Sequence, residues 1–432
     1  MPKEQITTSH RAYVMFILVV VYTFNFIDRQ IVGILAIPIK ADLGLSDTQL
    51  GVMGGLAFAL FYTVLGIPVA MLADRSNRTW IMTIALTVWS AMTAACGLAQ
   101  NFWQLFLARL GVGIGEAGGV APAYSLIADY FPPGQRARAL SVYSFGIPIG
   151  SALGIVFGGL IASKIDWRYA FFAVGLGGII LAPIFKATVS EPQRGQFDRK
   201  RSNTEAAPLS VIVRTLMHKP SFWAMSLGAA FSSMMGYGMF FWLPSFFVRS
   251  FGLELLDASL YYGAILLVGG IAGTWLGGSL ADRFGARRRS AYVIIPAIAF
   301  MATVPFYVMA ILSPNLITTF LAMLIPTALG LAWLGPVLSA IQHVVPPNMR
   351  ATASAIFLFV NNLIGIGAGT VAIGMLSDKL QATFGDDSLR YAILSGTGFY
   401  VIAAMLFLLS AKWLEQDWEN PLETDEMASE SS

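Results

Sequence analysis

The sequence predicts an all-α membrane protein of twelve transmembrane helices in two pseudo-symmetric six-helix bundles. Three observations carry that reading: the composition, the spacing of long apolar runs, and loop motifs that occur twice. Of the 432 residues, 56% are hydrophobic and only 12% are charged, and the mean hydropathy is positive. A soluble domain carries about 25% charged residues, so burial in a soluble core does not explain the chain. Apolar runs such as those starting at positions 12 and 392 are long enough to cross a bilayer core, which takes roughly 20 residues of helix.

The apolar runs place helices at about 12–38, 49–73, 79–99, 102–131, 137–163 and 168–188, then 221–249, 258–281, 290–312, 316–345, 350–377 and 389–414. They are numbered helix 1 to helix 12 in chain order. A barrel would instead show short alternating segments. The chain divides into a first bundle (1–188), a linker (189–220), a second bundle (221–414) and an acidic tail (415–432) that is expected to be disordered. No cleavable signal peptide is expected, because the first apolar run is too long and leads into Asp28-Arg29. Cys96 is the sole cysteine, so no intrachain disulfide and no cysteine metal site is expected.

Charge placement orients the helices. With both termini cytoplasmic, nineteen of the 27 Lys and Arg residues fall inside, six outside and two, Arg29 and Arg109, within the membrane. Positive residues favour the cytoplasmic side, which predicts a multi-pass protein of the plasma (inner) membrane with both termini cytoplasmic. The basic linker reads as a solvated tether that also enforces topology, with lipid binding as the alternative.

The repeat lies in the loops. LADR at 72–75 recurs at 280–283, and PPGQRA at 132–137 recurs as PPNMRA at 346–351. The duplicated order suggests conformational gating by Asp74, Arg75, Asp282, Arg283 and Arg287, with Asp129, Arg136 and Arg350 as opposing partners. Positive-inside charge alone is the simpler alternative. Parallel halves related by an axis along the membrane normal are a transporter architecture.

The deepest charges are Asp28 and Arg29 in helix 1 and Arg109 and Glu116 in helix 4. An ionisable residue at that depth costs at least about 2.5–3.5 kcal/mol, so each should be paired or face a watery cavity. Asn25, Asp28 and Arg29 share one side of helix 1 by spacing, which makes Asn25 a candidate substrate contact on the cavity wall. A carboxyl in an apolar, glycine-rich setting can load and release a proton as access alternates, which makes Asp28 and Glu116 candidates for proton coupling. Arg29 or Arg109 can hold an anionic head group once freed from a carboxylate. A purely structural ion-pair network is the alternative. The second half has no comparable charge. Tyr237, Phe240, Phe241, Trp242 and Trp333 are its candidate apolar wall, with Asn361 and Asn362 as polar handles.

Family resemblance rests on specific strings. GGSLADRFGARRR (277–289) is similar to the major facilitator loop signature G-x-L-A-D-R-x-G-x-R-R, whereas the first copy has Ala70 and Asn77 at its glycine positions. Residues 107–154, FNFIDRQ (24–30), NNLIGIG (361–367) and GMLSD (374–378) resemble the Spinster branch of that superfamily. The resemblance implies a major facilitator fold, with the first and fourth helices of each half lining a central cavity, and transport of sphingolipid-like or lysolipid substrates.

The expected function is therefore proton-coupled secondary transport, by alternating access, of an amphipathic organic anion or zwitterion such as a lysolipid or sphingoid. An organic-acid or sugar-phosphate carrier is the rival within transport, since N-F-I-D-R is also similar to the anion–cation symporter branch. A non-transporting receptor is the rival class. No catalytic triad, metal set or ATP motif suggests an enzyme or a primary pump. No cofactor and no nucleic-acid partner is expected; the partners are a small amphipathic substrate, protons and the lipid bilayer, and the chain is expected to act as a monomer. GIGEAG (113–118) matches a dinucleotide-loop pattern but lies inside a helix, so close packing explains its glycines better. Gly146-Ile147-Pro148 reads as a kink. His10, His218 and His343 show no metal spacing.

Overall fold

The computed structural model describes residues 8–195, 197, 208–284, 289–330 and 333–419, with the side chains of positions 74, 133, 137, 274–284, 347 and 351 outside that description. Among the described residues, helix is the only regular structure. Helix 1 is Thr8–Leu43. Helix 2 runs as Asp47–Gly51, a π-helical Val52–Leu56 and Ala57–Arg75. Helix 3 is Arg78–Cys96, helix 4 is Phe102–Glu116 and Val120–Tyr130, helix 5 is Pro133–Ser144 and Gly146–Lys164, and helix 6 is Trp167–Thr188. A short linker helix, Leu209–Met217, precedes helix 7, Pro220–Phe251. Helix 8 is Leu255–Phe284, helix 9 is Ala291–Leu312, helix 10 is Leu316–Leu329 and Leu334–His343, helix 11 is Arg350–Phe384, and helix 12 is Ser388–Gly396 and Gly398–Asp417. By length and hydropathy alone, nine segments among the described residues could cross a membrane; one of them, Thr352–Asp417, holds both helix 11 and helix 12. Helix 4 and helix 7 complete the twelve passages.

Four helices that the hydropathy pattern predicts as unbroken are interrupted. In helix 4 the α-helical ladder stops at Glu116, and Gly118 and Gly119 bond back only three residues, to Gly115 O and Glu116 O. Adjacent glycines raise the entropy cost of helix there, and Pro122 offers no donor to the Gly118 carbonyl. Helix 5 is interrupted at Phe145, where Pro148 leaves the Ser144 carbonyl without its i+4 donor. Helix 12 is interrupted at Thr397 between two glycines, and the first segment of helix 10 ends at Leu329 with Gly330 as its C-cap. The linker, expected to be a plain tether, contains a helix.

Small residues set how closely the helices approach. A Cβ on Gly150 or Gly154 of helix 5 would lie 2.4 Å from Thr23 O or 2.7 Å from Ile27 O of helix 1. The glycines of 113–118 do the same work: a Cβ on Gly113 would lie 2.5 Å from Phe58 O, and one on Gly115 2.5 Å from Trp89 N. Close backbone approach of this kind is how helices pack in lipid. The halves meet where helix 1 packs on helix 7, helix 2 on helix 11, and helix 5 on helix 8. Large apolar side chains such as Leu60, Val64, Ile180 and Ile184 remain exposed, as a lipid-facing surface requires. The start of helix 1, the linker helix and the end of helix 12 share one face, here the terminal face. The turns after helices 1 and 11 lie on the opposite, far face.

Candidate functional site

A cavity of about 290 Å³ lies between the halves. Both deep arginines line it. Neither deep acid does. The pairing crosses the two helices. Arg29 Nε of helix 1 donates to Glu116 Oε2 of helix 4 at 2.7 Å. Arg109 Nη1 of helix 4 donates to both Asp28 oxygens of helix 1, at 3.4 and 3.3 Å. Thr93 Oγ1 of helix 3 donates to Asp28 Oδ1 at 2.7 Å. Helix 1 thus presents its base to the cavity and turns its acid towards helices 3 and 4. Glu116 is fully buried behind Arg29. Sequence neighbours Asp28 and Arg29 do not pair with each other in the described geometry.

Polar capacity is left over in this cluster. Glu116 Oε1, Arg29 Nη2, Arg109 Nε and Asn25 Oδ1 are buried without a hydrogen-bond partner among the described residues. The Arg29 guanidinium sits in an aromatic box, 4.7 Å from the Tyr62 ring centroid, 4.8 Å from Phe58 and 5.2 Å from Phe26. Cation–π contact of this kind stabilises a desolvated guanidinium by about 2 kcal/mol. The arginine is held, yet one of its nitrogens is still open to an acceptor.

The sequence suggested a charged wall facing an aromatic one, and the structure corrects this. The first-half wall is itself aromatic, with Tyr22, Phe26, Phe58 and Tyr62 around Arg29. The second-half wall carries the expected Asn361 and Asn362 and, besides them, Ser232 and Ser233, alongside Tyr237, Phe240, Phe241 and Trp333. Ser233 Oγ donates to Asn361 Oδ1 at 2.9 Å. Two expected wall residues lie elsewhere. Trp242 is fully buried and its Nε1 donates to Thr370 O at 2.9 Å, because the next residue along from Phe241 points to helix 11. Asn25 is buried in helix 1 and does not line the cavity. Spacing put it on the same side as Arg29, but one turn away the helix already faces its own bundle.

A second polar cluster closes the far face, and sequence reading missed it. The Asp47 carboxylate at the start of helix 2 accepts two bonds from Arg249 of helix 7, both at 2.7 Å, one from Ser377 of helix 11 at 2.7 Å, and one from Lys40 at 2.6 Å. Asp378 of helix 11 accepts from the backbone N–H of Asp47 (3.0 Å) and Thr48 (2.8 Å), and from Thr48 Oγ1 (2.5 Å). An acid from one half therefore caps the N-terminus of a helix in the other, where unpaired N–H groups favour negative charge. Below it, a Cβ on Gly55 would lie 2.0 Å from Thr370 Oγ1 and 2.5 Å from Ile366 O, so helix 2 has no room for a side chain where it meets helix 11. The available signals were the capping sequence Ser46–Gln49, which fixes where helix 2 starts, and the lone acid ending GMLSD.

Of the expected gating residues, Arg75, Asp129, Arg136 and Arg350 are described, and they lie on the terminal face. Asp129 pairs with Arg78 at 2.5 Å and also accepts from the backbone N–H of Gly195 at 2.9 Å. Arg78, almost fully buried, further binds Glu191 at 2.6 Å and Ser125 Oγ at 2.8 Å. Arg194 donates to the Ala73 carbonyl at 2.6 Å. The beginning of the linker is thereby strapped across the ends of helices 2, 3 and 4. Arg136 Nε donates to Phe131 O at 3.2 Å. Arg75 ends helix 2 and is exposed, and Arg350 begins helix 11. The side chains of Asp74, Asp282 and Arg283, and Arg287 altogether, lie outside the described residues.

Known proteins are similar to this chain over nearly all of its length. Residues 18–370 match the family described as the Major Facilitator Superfamily. An MFS-type efflux pump of Mycolicibacterium smegmatis is 34% identical over 431 residues, covering 96% of this chain and 98% of its own. Protein spinster homolog 1 of Xenopus tropicalis is 29% identical over 437 residues, covering 95% and 82%. The crystal structure of a bacterial homolog to the human lysosomal transporter Spinster, in an inward-facing and unoccupied conformation, superposes with a TM-score of 0.84 at 33% identity, covering 96% of this chain and all of that one.

Proposed function

The chain belongs to the major facilitator superfamily, in its Spinster-like branch, and from that premise we propose a proton-coupled carrier of an amphipathic organic anion or zwitterion. It is a membrane transporter rather than an enzyme. The observation that carries the proposal is the crossed pairing, in which the bases face the cavity and each is held by an acid hidden behind it.

That arrangement links proton to cargo. A proton on Glu116 removes the charge that holds Arg29, and a proton on Asp28 does the same for Arg109. The freed guanidinium then takes a carboxylate or phosphate in the cavity, a planar multi-donor match that Arg makes well. Proton and anion therefore favour one another's binding, as cotransport requires. Each such pair also adds no net charge to the buried site. The aromatic walls around the arginines accept the apolar body of the cargo. A small hydrophilic anion would find the arginines but would leave the aromatic walls unpaired, so the amphipathic reading stands first. The cavity is complete within one chain, which supports function as a monomer. The Lys/Arg distribution supports a plasma (inner) membrane location with the terminal face cytoplasmic, the far-face cluster then being the closed external gate.

The test is pH-driven uptake in proteoliposomes, with a lysolipid, a phosphorylated sphingoid and a small organic anion as alternative cargoes. Glu116→Gln and Asp28→Asn should each abolish the dependence on the pH gradient while saturable counterflow persists. Unchanged gradient dependence in both variants would sink proton coupling. Uptake of only the small anion would favour the hydrophilic carrier, and absence of counterflow for every cargo would favour a receptor.

A further inference from the structure

We propose that the linker helix Leu209–Met217 is an interfacial anchor, with its outer apolar stripe seated in the lipid head-group and acyl boundary on the terminal face. Its sequence, LSVIVRTLM, places successive side chains about 100° apart. Ile212 and Leu216 are buried where the helix packs on helices 7 and 11. Leu209, Val213 and Met217 recur every fourth residue and form the adjoining stripe. They are 63%, 43% and 62% exposed. Together the five side chains make one apolar arc of about 140°, wider than the protein surface that covers it. Ser210 and Arg214 follow on the next sector, with Thr215 and a single exposed apolar residue, Val211, beyond them, so the continuous apolar arc gives way to a mainly polar side. That is the layout of a helix lying in a membrane surface rather than in water.

Position and attachment point the same way. Met217 is three residues before Pro220, the first residue of helix 7, so the stripe lies at the level where a membrane-crossing helix emerges. Trp223 Nε1 of helix 7 donates to the Leu216 carbonyl at 3.1 Å, and Lys219 Nζ donates to the Asp417 carbonyl at 2.8 Å. These bonds fix the helix to the ends of helices 7 and 12 and hold its roll angle. A solvated tether would need neither a fixed roll nor three exposed apolar side chains in register. The occupant inferred is therefore the bilayer, with Arg214 beside the stripe and able to reach lipid phosphates.

The experiment is a nitroxide scan of the full-length protein in phosphatidylcholine vesicles. Cys96→Ala removes the one native thiol, and single cysteines then replace Leu209, Ser210, Val213, Arg214 and Met217 in turn. The expected result is periodic: labels at 209, 213 and 217 collide several-fold more with oxygen than with a water-soluble nickel chelate, and labels at 210 and 214 show the reverse. High nickel access at all five positions would place the helix in water and overturn the proposal. Low access to both reagents along the stripe would show that protein covers it, and would overturn the proposal equally. The scan reads neither cargo nor protons, so its outcome is independent of the transport reading.

Discussion

Asp378→Ala should open the far face of this protein. In the structure its carboxylate accepts three hydrogen bonds from helix 2, two from backbone N–H groups and one from Thr48 Oγ1. Water replaces those bonds when the halves part, so only their net value is lost. A hydrogen bond to a charged group is worth about 1.5–3 kcal/mol net. Counting one such contribution for the set, the closed state loses between about tenfold and about 150-fold in population relative to the open one, at tenfold per 1.4 kcal/mol. Arg249→Ala acts on the same carboxylate cluster through Asp47, so the two effects should not add. The assay is double electron–electron resonance between labels at the exposed far-face positions Lys164 and Thr383 in the Cys96→Ala background. The parent should give one short distance, and each variant a second, longer population; Asp386→Asn, at an exposed far-face acid outside the cluster, should leave the distribution alone. If neither Asp378→Ala nor Arg249→Ala lengthened any part of it, the cluster would not be a gate.

Three other perturbations follow from the same geometry. Arg78→Ala removes the buried guanidinium that Asp129 and Glu191 share, and breaking a buried pair costs about 3–5 kcal/mol. The unfolding midpoint in detergent should fall sharply, with Arg78→Lys recovering only part because an ammonium cannot reproduce the guanidinium fork. Gly55→Ala drives a methyl into Thr370 Oγ1 and the Ile366 carbonyl, an overpacking of about 1–3 kcal/mol, and should lengthen the same spin-label distance that Asp378→Ala does. Trp242→Phe keeps an aromatic ring but loses one buried hydrogen bond and part of the indole's volume, so it should lower stability by at least about 0.5–1.5 kcal/mol and leave KM for transport unchanged, whereas Tyr237→Ala and Phe240→Ala should raise KM. A KM effect of Trp242→Phe matching theirs would return that residue to the cavity wall.

Hydropathy and duplicated loops were enough to read the fold, because lipid leaves helix as the one way to satisfy so many backbone groups in apolar runs of this length. The four deep charges were legible for the same reason, since each is too costly to be incidental. Their partners were not. Whether Arg29 meets Glu116 depends on how helix 4 is turned towards helix 1, and helix 4 is placed by close contacts of Gly113 with Phe58 of helix 2 and Gly115 with Trp89 of helix 3, which no local pattern shows. The aromatic box was partly visible in the four-residue spacing of Tyr22 with Phe26 and of Phe58 with Tyr62, but no local pattern says that both pairs face one arginine. The far-face cluster was the hardest to see. Asp47 reads as an ordinary acid in the first turn of a helix, and its partners stand 202 and 330 residues away.

The hidden acids bear on how well such a carrier holds a gradient. A carboxylate standing open in the cavity would exchange protons with whichever compartment the protein faced, and every empty cycle would carry them downhill. Glu116 has no direct exposure and meets the cavity only past Arg29, which is bonded to it and boxed by three rings. In the proposed mechanism a proton stays on Glu116 only while the arginine is swung off it, and a bound anion is what keeps the arginine away. Idle molecules would then leak little, and the membrane would spend its proton gradient chiefly on turnovers that carry cargo.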